Sequence, residues 1–136
     1  MQEFTAGDGR YQVTLKLEET GKGLVGFLYG GDLPHVGGVV LANPRESLTG
    51  EGQSCDVWTL HLPGHLDHVV AESMAKKLCT AFQVPLSLTA GIHLDDATPE
   101  ELDILTKNCE ALTTQALSLS VILRAARSAD SKEPRG

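Results

Sequence analysis

The sequence predicts an α+β fold: a largely antiparallel sheet of about five to six strands carrying two long helices, in the order β-β-β-β-α-β-α. Three observations carry that prediction. Apolar residues alternate with polar ones through most of the first sixty positions. From residue 65 they recur every three to four. A helix-start signature stands at Thr98–Glu101.

The first strand is RYQVTLKLEE at 10–19, with Tyr11, Val13, Leu15 and Leu17 on one side and Gln12, Thr14, Lys16 and Glu18 on the other. Thr20–Gly23 reads as a turn and Leu24–Tyr29 as the returning strand of a hairpin. The run GGDLPHVGG at 30–38 leads into Val39–Leu41, a short third strand ended at Asn43-Pro44 because proline cannot continue a ladder. Residues 45–54 read as a polar loop, and Val57–Leu62 alternates again as a fourth strand stopped by Pro63-Gly64. The segment before residue 8 is a further candidate, as an edge strand.

The period then changes. Leu66, Val70, Met74, Leu78 and Phe82 recur every four residues, with Val69 and Cys79 widening the stripe and Glu72 and Lys76 paired on the wet face. Val84–Ile92 follows as a strand. Thr98 as N-cap, Pro99 at N1 and Glu101 at N3 form a capping box, opening a helix expected to reach Arg124–Arg127. One domain over 1–127 is expected, with 128–136 as a flexible tail. The last helix keeps a stripe of Leu102, Leu105, Cys109, Leu112, Ala116, Leu119, Leu123 and Ala126. A second line of Ile104, Ala111, Val121 and Ile122 lies off it, so the helix has apolar surface for a partner as well as for the sheet. A homodimer is the economical expectation.

Composition narrows the function. With 41% hydrophobic and 21% charged residues the 136-residue chain is globular and not disordered. Its net charge of −7 and its few aromatics argue against nucleic acid, which is held by Lys and Arg and by stacking platforms. No secretory signal or membrane-length apolar stretch is read, so a soluble cytoplasmic protein is expected. Cys55, Cys79 and Cys109 form no CxxC pair, which removes the usual zinc-ribbon and redox signatures.

Three stretches concentrate unusual residues. In the first, Gly30, Gly31, Gly37 and Gly38 surround His35; the glycines permit close approach to a ligand, yet no P-loop or GxGxxG is present. A plain glycine-rich connection reads equally well. In the second, His61, Gly64, His65 and His68 invite zinc, but the spacing is not HExxH or that of a closed site. The helix start there also suits an anion, or His65 simply caps it while His61 and His68 face solvent. In the third, Gly91, His93, Asp95 and Asp96 suit either acid–base work or an ordinary pre-helical turn. All three stand at strand ends. If the sheet gathers them, His35, His65 and His93 with Gly37, Gly38, Gly64 and Gly91 line one pocket.

The succession GG-x3-HVGGVVLA at 30–42, PGH at 63–65 and GIHLDDATPEE at 91–101 resembles the prenylated-flavin chaperone family. The resemblance spans roughly residues 10–115. It implies a dimeric α+β build similar in shape to proteasome-assembly chaperones. It further implies binding of reduced prenylated flavin mononucleotide and delivery to an apo-decarboxylase of aromatic acids, with no decarboxylation by the chain itself. Carried over by motif, His35, Gly37, Gly38, His65 and His93 are the expected cofactor-binding positions. Two other readings stay open: a small zinc- or acid–base-dependent enzyme using the histidines, and a structural assembly factor for a decarboxylase complex.

Overall fold

The computed structural model describes residues 1–63 and 67–130, with side chains as far as residue 119. Six strands, β1 (Gln2–Ala6), β2 (Val13–Glu19), β3 (Leu24–Gly31), β4 (Gly38–Glu46), β5 (Gln53–His61) and β6 (Leu86–His93), form one sheet in the order β1-β2-β3-β6-β4-β5. The helices α1 (Asp67–Phe82) and α2 (Pro99–Asp130) cover one face, α1 over β4, β5 and β6 and α2 over β1 and β2. This is the expected α+β class, with the N-terminal segment serving as the edge strand. Residues 131–136 of the expected tail lie outside the described residues, and α2 runs on past Arg127 to Asp130.

Period-two patterning is realised as burial. Val13, Leu15, Leu17, Leu24, Leu28, Val40, Leu86 and Leu88 point under the helices and meet Met74, Leu78, Phe82, Leu105 and Leu112. A fully buried leucine contributes roughly 1.5–3 kcal/mol, so a core of this size needs no staple. The cysteines are all free. Val69, expected to widen the buried stripe of α1, is 58% exposed instead. Glu72 is turned to the sheet, where its Oε1 accepts from the Thr59 hydroxyl at 2.7 Å.

Two strands depart from the sequence expectation. Tyr11 belongs to a 3-10 turn, Gly9–Tyr11, and not to β2. β4 does not stop at Asn43-Pro44 but runs on to Glu46, opposite a β5 that starts at Gln53. The reason is positional: β6 accompanies β4 only as far as Ala42, so Pro44 lies where one side of β4 is already open.

One pairing controls the site. Every neighbouring pair is antiparallel except β3 and β6, which run parallel with Gly31 opposite His93. β6 is inserted between β3 and β4, so residues 32–37, which join β3 to β4, must cross the end of β6. The sheet thus brings the ends of its two parallel strands and a crossing loop to one edge.

Candidate functional site

The crossing loop is pinned on both sides of β6. Asp32 N–H donates to the His93 carbonyl at 2.7 Å, and Gly37 N–H donates to the Ala90 carbonyl at 2.8 Å. Between those bonds the loop lies directly on Gly91, where a Cβ would fall on the His35 carbonyl group. At the loop's start Gly31 has φ +80° and equally little room, since a Cβ there would fall on the His93 carbonyl. These glycines let one strand of backbone pass over another.

Crossing at that point places His35 against the first turn of α1. Its Nδ1 lies 3.0 Å from the Leu33 carbonyl oxygen and its Nε2 3.1 Å from Asp67 Oδ2. Both ring nitrogens therefore face oxygen acceptors, and the ring is fixed in orientation. His93 stands beside it, the two rings edge to face with centroids 6.2 Å apart, and His93 Nε2 lies 2.9 Å from Asp95 Oδ1. Gly37 packs on the Asp67 carboxylate and Gly38 against His61 and His68. Those two histidines stack face to face with centroids 4.0 Å apart. Of the expected site residues, the structure gathers His35, Gly37, Gly38, Gly91 and His93. Gly64 and His65 lie outside the described residues.

Next to this cluster is a cavity of about 370 Å³. Asp67, Val69 and Val70 of α1, Ile92, His93 and Leu94 at the end of β6, and Leu102, Leu105, Thr106 and Cys109 of α2 line it. His93 and Asp67 are shared between cluster and cavity. Burial, reinforced by the nearby Asp67 charge, pushes the Cys109 thiol up to about 12, so it stands there as an uncharged apolar wall. Among the described residues no three His, Cys, Asp or Glu side chains are placed to hold a metal ion.

Sequence reasoning passed over Asp67, the cavity and the network that fixes the His93–Thr98 connection. Arg10 grips Asp32 through Nη2 at 2.7 Å and Glu101 through Nη1 at 2.9 Å, and donates to the Asp95 carbonyl at 2.8 Å. Tyr11 hydroxyl donates to Glu101 at 2.8 Å, and Asp95 N–H to Asp32 at 2.9 Å. The capping box closes as expected: Glu101 N–H donates to Thr98 Oγ1 and Thr98 N–H to Glu101 Oε1, each at 3.1 Å. Hydrogen bonds from Arg10 and from the Asp95 backbone hold the Asp32 carboxyl below its ordinary range. The Thr98 amide and Tyr11 do the same for Glu101.

These shifts have a definite sign. Carboxyls whose folded pKa is depressed add stability in full above their unfolded values, and lose it as pH falls through the folded ones. We predict that the thermal stability difference between wild type and Arg10→Ala is constant from about pH 6 to 8 and narrows as pH falls below about 4. A difference independent of pH down to 3 would show that ionisation of Asp32 and Glu101 adds nothing to what Arg10 contributes.

The family described as prenylated flavin chaperone LpdD-like domain matches residues 7–120, which contain the crossing loop, the histidines and the cavity. The chain belongs to that family. Protein LpdD of Lactiplantibacillus plantarum is 28% identical over 123 residues, spanning 87% of this chain and 84% of that protein. A chain from a chaperone complex for yeast 20S proteasome assembly aligns at TM-score 0.47 and 16% identity, over 86% of this chain and 99% of that one. Among the described residues of this prenylated flavin chaperone domain, no helix is long and apolar enough to cross a membrane.

Proposed function

We propose that the chain binds reduced prenylated flavin mononucleotide at the His35–His93 edge and hands it to an apo-decarboxylase of aromatic acids. In this reading it acts as a homodimer in the cytoplasm and has no turnover of its own. Family membership over residues 7–120 carries the proposal. The site is compatible with such cargo. Its cavity of about 370 Å³ is at the small end of the roughly 300–1,000 Å³ range of small-molecule pockets. It therefore takes part of a flavin and not the whole nucleotide. Its walls are largely aliphatic, and no Lys or Arg is among the described lining residues. A ring system belongs inside and a phosphate outside. At the rim, His93 offers the ring nitrogen turned away from Asp95 to the polar edge of the flavin, His35, with both ring nitrogens on Leu33 and Asp67, holds that edge in place, and Gly31 and Gly91 serve by letting the loop that carries His35 cross β6.

A carrier must release what it holds. Each 1.4 kcal/mol is about tenfold in Kd, and tight binding generally means slow release. Affinity weaker than that of the recipient enzyme lets transfer run downhill. The test is an anaerobic titration with reduced prenylated flavin mononucleotide, followed by mixing with apo-decarboxylase. We expect saturable binding that favours the reduced over the oxidised cofactor, and faster activation than free cofactor gives. His93→Ala should weaken binding about tenfold, the worth of one hydrogen bond to a polar ring edge, and His35→Ala by a similar factor because it removes the ring packed against His93 and the partner of Asp67. Undetectable binding of the reduced form together with no gain in activation would refute the proposal.

A further inference from the structure

The edge that carries the cavity also carries exposed apolar side chains. Leu33 and Val36 flank His35 in the crossing loop and are 61% and 56% exposed. Val69 of α1 and Leu102 of α2 line the cavity yet stand largely in solvent, which puts them at its mouth. His35 links the two groups, since its ring reaches Asp67 of the cavity wall at 3.1 Å. Around this apolar collar the charge is one-sided. Asp95, Asp96, Glu100 and Asp103 are all exposed. The neighbouring cations are already engaged, Arg10 by Asp32 and Glu101, and Lys107 by Asp103 at 2.9 Å. Arg10 also fixes the backbone at Asp95, so the rim is preformed.

We infer that this rim is the docking surface for the enzyme that receives the cargo, and that it fits a cofactor mouth with an apolar collar ringed by Lys and Arg. The inference rests on the carrier reading above and adds where, and by what chemistry, the hand-off is made. Three features select that partner. The first is position. A ring system leaving the cavity passes Val69 and Leu102, so a receiver seated on them takes it without release into bulk water. The second is the phosphate. No Lys or Arg is among the described lining residues, so the phosphate stands outside, where the acids of the rim repel it. A receiver that grips a phosphate does so with Arg or Lys. Those cations face Asp95, Asp96 and Glu100 when the two mouths meet, and the charges are complementary on encounter. The third is what the rim rejects: another chain of net −7 would bring acids against acids here. A collar of four side chains makes a small contact, of the size that suits a brief transfer complex and not a permanent one.

The test loads the full chain with reduced prenylated flavin mononucleotide anaerobically, mixes it with an apo-decarboxylase of aromatic acids, and follows activation. The rate should rise in proportion to apo-enzyme concentration. It should fall about tenfold between ~50 and ~300 mM NaCl, as screening shortens the reach of the rim charges. Leu33→Ser with Val36→Ser should slow transfer about tenfold, through lost apolar contact. Asp96→Asn with Glu100→Gln should slow it about threefold at low salt and flatten the salt dependence. Asparagine suits the φ of +49° at Asp96. None of the four lines the cavity, and the Leu33 carbonyl beside His35 Nδ1 is backbone, so cargo Kd should stay within about twofold. Transfer that ignores apo-enzyme concentration or salt overturns the inference, and so does a wild-type rate in either pair. A changed oligomeric mass of either pair by light scattering makes the rim a contact between copies and overturns it as well. Docking is also read without cargo, by interferometry of apo-decarboxylase on the immobilised empty chain. There the Leu33–Val36 pair should bind about tenfold more weakly than wild type, and equal binding refutes the docking surface. Failure of cargo binding sinks the carrier reading alone, because this last measurement needs no cargo.

Discussion

Gly91→Ala is expected to destabilise the domain by about 3 kcal/mol or more, a large share of the ~5–15 kcal/mol that holds a domain of this kind together. The added methyl would occupy the position of the His35 carbonyl group. Because the neighbour is backbone, no rotamer change relieves the clash. The loop must lift, yet it is tied down on either side by the Asp32–His93 and Gly37–Ala90 hydrogen bonds. Lifting it loses one or both, at ~0.5–1.5 kcal/mol each, on top of the ~1–3 kcal/mol typical of overpacking. For a chain of this length that corresponds to a fall in Tm on the order of 10–15 °C. Gly50→Ala is the comparison: its φ of +78° is strained for alanine but its Cβ would meet open space, so the loss should be near ~1 kcal/mol. Urea denaturation of the two variants checks the ranking. Equal stabilities for Gly91→Ala and wild type would mean that the loop does not rest on β6.

What could be read from the sequence was whatever is settled by neighbours along the chain. The capping box at Thr98–Glu101 is written in four consecutive residues, and it forms as read. Alternation in β2 and β3 and the four-residue recurrence of Met74, Leu78 and Phe82 are equally local, and burial follows them. Glycine–histidine stretches at strand ends were likewise visible, and their histidines meet in two pairs, His35 with His93 and His61 with His68. What was not visible depends on strand order. Nothing in LSLTAGIH says that it slips between β3 and β4, and only that insertion turns GGDLPHVGG into a loop crossing Gly91. The same insertion pairs Arg10 with Asp32 and Glu101, partners 22 and 91 residues away. Asp67 was passed over because the histidines around it drew the chemistry. An acid in the first turn of a helix is its own weak signal, and a carboxylate beside a histidine-rich start is the clue that would have found it.

Thr106→Trp should abolish most cargo binding while leaving the fold intact, which separates the cavity from the histidines as the seat of the ligand. Thr106 is an exposed residue of α2 that lines the cavity. Its hydroxyl donates only to the Leu102 carbonyl one turn back, at 2.9 Å, a local bond whose loss costs the helix little. A long side chain on a helix leans toward the N-terminus, so an indole at 106 lies over Leu102, another lining residue. It thereby closes the space a flavin ring would enter. We expect at least about 30-fold weaker binding of reduced prenylated flavin mononucleotide, equivalent to ~2 kcal/mol, with Tm changed by no more than a few degrees. Thr114→Trp supplies the control, since Thr114 makes the same back-bond, to Glu110 at 3.1 Å, on the same helix but away from the cavity. It should bind as wild type does. The two halves of the site then report independently. His35→Ala loosens the rim beside His93 and should leave measurable binding, whereas Thr106→Trp removes the room itself. If Thr106→Trp binds normally while His35→Ala and His93→Ala do not, the ring rests on the outer surface of the histidine cluster and the cavity beside it is not the site.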